Sequence, residues 1–81
     1  MVKVTVWGSL RTFTDGHAEV EVEAINFKQV LDALRRDWPG LGPTLDQGVS
    51  LAIDGRMIRD SWFHPVRPDS DVVLMPYMQG G

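Results

Sequence analysis

Hydrophobic and polar positions alternate along residues 2–7, with Val2, Val4 and Val6 set against Lys3, Thr5 and Trp7. A period of two sends successive side chains to opposite faces of a strand, so this stretch predicts a strand with one face on a core. Residues 18–24 repeat the pattern, with Val20 and Val22 between Glu19, Glu21 and Glu23. Thr14-Asp15-Gly16 between them carries turn residues, and the two runs predict a hairpin with a long loop.

The period then changes. Phe27, Val30, Leu31, Leu34 and Trp38 recur at helical spacing and form one stripe, while Lys28, Asp32, Arg35 and Arg36 fall outside it. Asn26 is placed to cap this helix, and Gln29 three residues on can reach back as in a capping box. Ile25 and Val30 flank the cap as a hydrophobic staple would. Arginines near the last turn suit the helix dipole. Pro39-Gly40 ends the helix, and Gly40-Leu41-Gly42-Pro43 reads as a loop.

Alternation returns at residues 49–53, followed by Asp54-Gly55, a two-residue hairpin signal leading into a short strand around 56–59. Residues 60–68 carry two prolines and read as a loop. The last run, 72–77, is apolar at nearly every position and predicts a central strand covered on both faces. The order strand, strand, helix, strand, short strand, strand predicts an α+β fold: a mixed sheet of about five strands with one main helix packed on one face.

Composition narrows the function. The chain is 81 residues long, 43% hydrophobic and 23% charged, within the range of one ordinary globular domain. A net charge of −3 gives no concentrated basic face, so nucleic acid is not an expected partner. A mildly acidic domain fits a basic protein partner better. With no cysteine there is no disulfide, thiolate nucleophile or sulfur-based zinc site. No apolar run approaches membrane-spanning length and no signal-peptide pattern opens the chain, so the expected location is cytoplasmic, with no membrane partner.

The chemistry-bearing stretch is the end, Met75-Pro76-Tyr77-Met78-Gln79-Gly80-Gly81. Glycine supplies about 7% of average composition, so a chance Gly-Gly at a chain end is roughly a 0.5% event. Glycine lacks Cβ and tolerates dihedrals closed to other residues, so such a tail can pass through a narrow channel. Four extended residues from Met78 to Gly81 reach roughly 13 Å, at about 3.3 Å each.

On Pro76 and Gly80-Gly81, on His64-Pro65-Val66 followed by Asp69-Ser70-Asp71, and on the turn Asp54-Gly55, the chain resembles the ubiquitin-like sulfur carriers. That family includes the molybdopterin-synthase small subunit and the thiamine sulfur carrier. Tyr77, Met78 and Gln79 stand where the family often has a second proline and a small residue, and Ser70-Asp71 replaces its usual Gly-Asp. The resemblance implies the β-grasp, or ubiquitin, fold, with the first and last strands side by side at the sheet centre. It implies a domain over 1–77 and a flexible tail over 78–81.

It also implies a role without catalytic residues or a metal of its own. An E1-like adenylating enzyme, using ATP and Mg²⁺, would activate the Gly81 carboxylate, and a sulfur donor system would convert it to a thiocarboxylate. Met78, Gln79 and Gly80 would insert into the partner. The protein would bind no cofactor itself, and its sulfur would pass to the large subunit of a synthase. Length and layout resemble the molybdopterin branch most. A carrier for thiamine, cysteine or another metabolite, a protein modifier forming isopeptide bonds, and an interaction module with an incidental tail remain as alternatives.

Trp7 is out of phase with the buried valines and should point to the sheet's other face. There Trp7, Leu74, Met75 and Tyr77 are the expected partner-docking surface. Trp62 and Phe63 either join that patch or are buried locally by the loop. His17 and His64 lack metal-site spacing. Glu19, Glu21 and Glu23 form a solvated face able to steer a basic partner. Asp69 and Asp71 read as turn residues. Arg11, Arg56, Arg59 and Arg67 are scattered along the sequence without a readable anion site.

Overall fold

The computed structural model describes residues 1–59 and 61–76. Strands β1 (Val2–Val6) and β2 (Glu19–Val22) form the first hairpin, and its loop winds through a 3-10 helix over Gly8–Thr14. Helix α1 (Phe27–Asp37) follows, then a 3-10 turn at Pro39–Leu41 and a short helix α2 (Gly42–Gln47). Strands β3 (Val49–Ile53), β4 (Arg56–Ile58) and β5 (Val72–Pro76) complete a five-stranded sheet. Its order is β2-β1-β5-β3-β4. β1 and β5 are parallel neighbours, with Val4 opposite Val72 and Val6 opposite Leu74. β5 also pairs antiparallel with β3. The expected α+β, ubiquitin-like β-grasp arrangement is what the chain adopts.

One face of the sheet carries the core. Val2, Val4, Val6, Val20, Val22, Leu51, Ile53, Val72 and Leu74 are buried against Phe27, Val30, Leu31 and Leu34 of α1. The start of α1 is fixed as its residues require. Asn26 Oδ1 accepts from the Gln29 amide at 2.9 Å, and Gln29 Oε1 accepts from the Ile25 amide at 3.1 Å. The first two helical amides are satisfied by the loop before β5: Phe27 N–H donates to the His64 carbonyl and Lys28 N–H to that of Trp62. These donors have no partner within a helix, and the loop is anchored by supplying one. The staple expected between Ile25 and Val30 does not form, because Ile25 is exposed.

Two further expectations are corrected. The stretch read as a loop at 40–43 is part of a 3-10 turn and α2. Leu41 and Leu45, one helical turn apart, are both buried there and hold it down. Strand β5 is central, fully covered on one face and only partly on the other: Val72 and Leu74 are buried, whereas Val73, Met75 and Pro76 are half-buried. Among the described residues the helices pack on the α1 side, and the apolar residues of the opposite phase in β5 are only half-buried.

Candidate functional site

β5 points its chain end out of the middle of the sheet. Since Val49 pairs with Pro76 and Ile53 with Val72, β5 ends at the edge where β3 begins and β1 ends. Trp7, the residue after β1, is held there by its main chain. Its N–H donates to the Leu74 carbonyl at 3.0 Å, and its own carbonyl accepts from Leu10 N–H at 2.8 Å. Trp7 is 47% exposed.

The sheet face on which Trp7 lies is apolar along its centre. Continuing the register of β1 and β5 puts Met75 beside Trp7, and pairing puts Val73 beside Thr5 and Ala52. Met57, opposite Ala52, extends the stripe and is exposed. Ser50 lies opposite Met75; it is buried, and its hydroxyl accepts from Arg59 Nε at 3.1 Å. On the β2 edge Glu19 and Glu21 are exposed, with Lys3 only loosely paired to Glu19 at 4.0 Å. Among the described residues the face is thus a partly exposed apolar band, running from exposed Trp7 and Met57 through half-buried Met75, Val73 and Ala52, bordered by carboxylates and close to the end of β5.

The residues expected to dock a partner separate here. Trp7 and Met75 lie on the open face. Leu74 is 0% exposed and points into the core, so it is removed from the docking set. It shares the phase of Val72, and only the other phase of β5 is open. Val73, Ala52 and Met57 belong in its place. Their signal was the alternation of 49–53 carried across the Asp54-Gly55 turn, with its phase set by the core-facing Leu51 and Ile53. Tyr77, Met78, Gln79, Gly80 and Gly81, together with the 77/78 domain boundary, lie outside the described residues.

Trp62 and Phe63 are exposed, but on the helix side of the molecule. Trp62 packs edge-on against Phe27, with ring centroids 5.7 Å apart, and Phe63 is 79% exposed. They border a groove with Leu31 and Leu45 rather than joining the sheet face. Its charged rim is internally paired, Lys28 with Asp32 at 2.8 Å and Arg35 with Asp46 at 2.7 Å. Among the described residues no cluster of three or more metal-ligating side chains converges. No helix among them is long and apolar enough to cross a membrane.

The sequence model of the ThiS family matches residues 4–81, a span that includes both terminal glycines. No curated protein matches the chain in sequence. Several solved structures share its fold. The Amycolatopsis orientalis BexX/CysO complex contains a chain with a TM-score of 0.81 at 19% identity, covering 100% of both chains. Mycobacterium tuberculosis CysO, described as an antigen, gives 0.80 at 18% identity over 96% of this chain and 100% of its own. Small archaeal modifier protein 1 from Methanosarcina acetivorans gives 0.81 at 21% identity over 99% and 95%.

Proposed function

The chain belongs to the ThiS family, and from that premise we propose that it is a sulfur carrier whose Gly81 carboxylate is adenylated and then converted to a thiocarboxylate. The observation that carries this reading is the family match running through Gly80-Gly81, on a strand that leaves the middle of the sheet beside an open apolar face. An E1-like enzyme supplies ATP and Mg²⁺, and the open face with Trp7 and Met75 docks on it. Tyr77, Met78, Gln79 and Gly80 then span the distance to its nucleotide site. Glycines at the tip let the main chain approach the nucleotide closely. A sulfur donor displaces AMP, and the resulting thiocarboxylate is an anionic nucleophile at neutral pH, as a thiolate is. The protein acts as co-substrate; the groups that activate and accept sulfur belong to its partners.

For the acceptor, length and layout support the large subunit of a molybdopterin-type synthase acting on a pterin precursor. The fold likeness to CysO supports a different acceptor equally well, so the carrier chemistry and the pathway are tested separately. ATP–pyrophosphate exchange by a candidate activating enzyme tests the first: exchange must depend on this protein and vanish without its last two residues. Sulfur transfer to candidate acceptors tests the second.

A second reading has its own support in the likeness to a small archaeal modifier protein. There the activated Gly81 would form an isopeptide bond with a lysine. Both readings share the adenylation step, and lysine-linked conjugates in extracts of the host separate them.

A further inference from the structure

At the end of the sheet opposite the tail, the turn between β3 and β4 meets the loop that enters β5. The pairing of Ile53 with Val72 fixes this polarity, and the site lies about 13 Å from Pro76, four strand steps of roughly 3.3 Å. An open cleft of about 360 Å³ separates the two segments. Main-chain hydrogen bonds hold both its walls. Asp54 N–H donates to the Asp71 carbonyl at 2.8 Å, and Asp71 N–H to Asp54 Oδ1 at 2.9 Å. Arg67 N–H donates to Ser70 Oγ at 2.9 Å, and Ser70 N–H returns to the Arg67 carbonyl at 2.9 Å.

Arg56 and Arg67, eleven positions apart in sequence, both line this cleft, with His64 and Ser70. Among the described residues neither guanidinium makes an ion pair or hydrogen bond. Ser70 is buried, and its oxygen accepts from Arg67 N–H, which leaves the hydroxyl proton free to donate. Two carboxylates also line the cleft. Asp54 is engaged by the Asp71 amide, and Asp69 is exposed as both arginines are, so water and salt screen all three alike. Two guanidinium groups carry ten N–H donors between them. Donors therefore outnumber uncommitted acceptors, on a frame whose main chain is already fixed.

We infer that this cleft is a binding site for a phosphate-type oxyanion. Arg56 and Arg67 supply the charge-assisted hydrogen bonds, and Ser70 and His64 add donors from the loop wall. A single arginine fork satisfies a carboxylate; donors from two separate segments suit a tetrahedral group with more oxygens to satisfy. The site is independent of the carrier reading, since it stands at the other pole and uses no residue of the tail or the open sheet face.

The test is a ¹H–¹⁵N NMR titration of the full chain with inorganic phosphate, with sodium chloride at matched ionic strength and succinate as parallel arms. Saturable shifts confined to residues 53–56 and 64–71, given by phosphate alone, are the expected result. R56Q and R67Q should each weaken binding about tenfold or more, the loss of one charge-assisted hydrogen bond, with the rest of the amide spectrum unchanged. The inference is overturned by non-saturable shifts, by equal shifts with chloride, by equal affinity for succinate, or by wild-type binding in both variants. A chain lacking Gly80 and Gly81 should bind phosphate as the intact one does, which separates failure here from failure of the carrier proposal.

Discussion

The amide of Trp7 donates to the carbonyl of Leu74 at 3.0 Å, yet the two side chains go to opposite sides of the sheet. Leu74 is 0% exposed and Trp7 is 47% exposed. One hydrogen bond thus ties a core residue to a surface aromatic, one residue short of Met75 on the strand that carries the tail. If the open face docks the activating enzyme, the two positions must respond to truncation in opposite ways.

Trp7→Ala should cost folding stability less than Leu74→Ala does, because Trp7 is 47% exposed and outside the buried core. As an aromatic anchor at an interface, its loss should weaken binding to the activating enzyme by about 2 kcal/mol, on the order of thirtyfold. Leu74→Ala should cost about 2–5 kcal/mol of folding stability through the cavity it leaves. Urea denaturation read beside ATP–pyrophosphate exchange separates the two effects. A Trp7 variant that is activated at the parental rate would remove Trp7 from the docking face.

Asn26→Ala removes the acceptor for the Gln29 amide and should cost about 1 kcal/mol. For a domain of this size that lowers the melting temperature by roughly 4–8 °C. The cap is on the helix side, so tail activation at a temperature where the variant is folded should not change. Thermal unfolding followed by circular dichroism checks the first part, and the exchange assay the second.

Gly55 sits at φ +84°, and a Cβ at this position would have no neighbour within 4 Å. Gly55→Ala therefore meets no clash, and its cost is the backbone conformation alone, about 1 kcal/mol. Gly8 has equally open surroundings without the positive φ, so Gly8→Ala should be neutral or slightly stabilising. Chemical denaturation of both variants is the check; equal effects would mean that the turn does not depend on the left-handed conformation.

Removal of Gly80 and Gly81 should leave the melting temperature unchanged, because among the described residues the buried core draws on Val2 to Leu74. The same deletion should abolish activation. A permanent fusion after Gly81 should act likewise, whereas one before Met1, which is exposed, should be tolerated. Full function with a C-terminal fusion would contradict the carrier reading.

Much of the fold was legible because phase and period carry it. The buried valines of β1 and β2, the α1 stripe from Phe27 to Leu34 and the Asp54-Gly55 turn were all set by local pattern. What was not legible depended on what lies above a surface. The apolar run of β5 did not reveal which phase faces the core, with Leu74 buried and Val73 and Met75 only half-buried, and so Leu74 was misplaced. α2 is too short and too rich in glycine and proline to show a helical period; Leu45 within it and Leu41 in the turn before it are what pack it on the core. Arg56 and Arg67 are scattered in sequence because their meeting depends on the pairing of β3 with β5. The tail lies outside the described residues, and its chemistry rests on the family resemblance together with Gly80-Gly81.

The most direct measurement is the intact mass of the untagged protein after incubation with ATP, Mg²⁺, a sulfur donor and a candidate E1-like enzyme. The account predicts a gain equal to the exchange of one oxygen for one sulfur, mapped by fragmentation to Gly81. An unchanged mass with several competent activating enzymes, together with an unmodified Gly81 in protein isolated from its host, would contradict it.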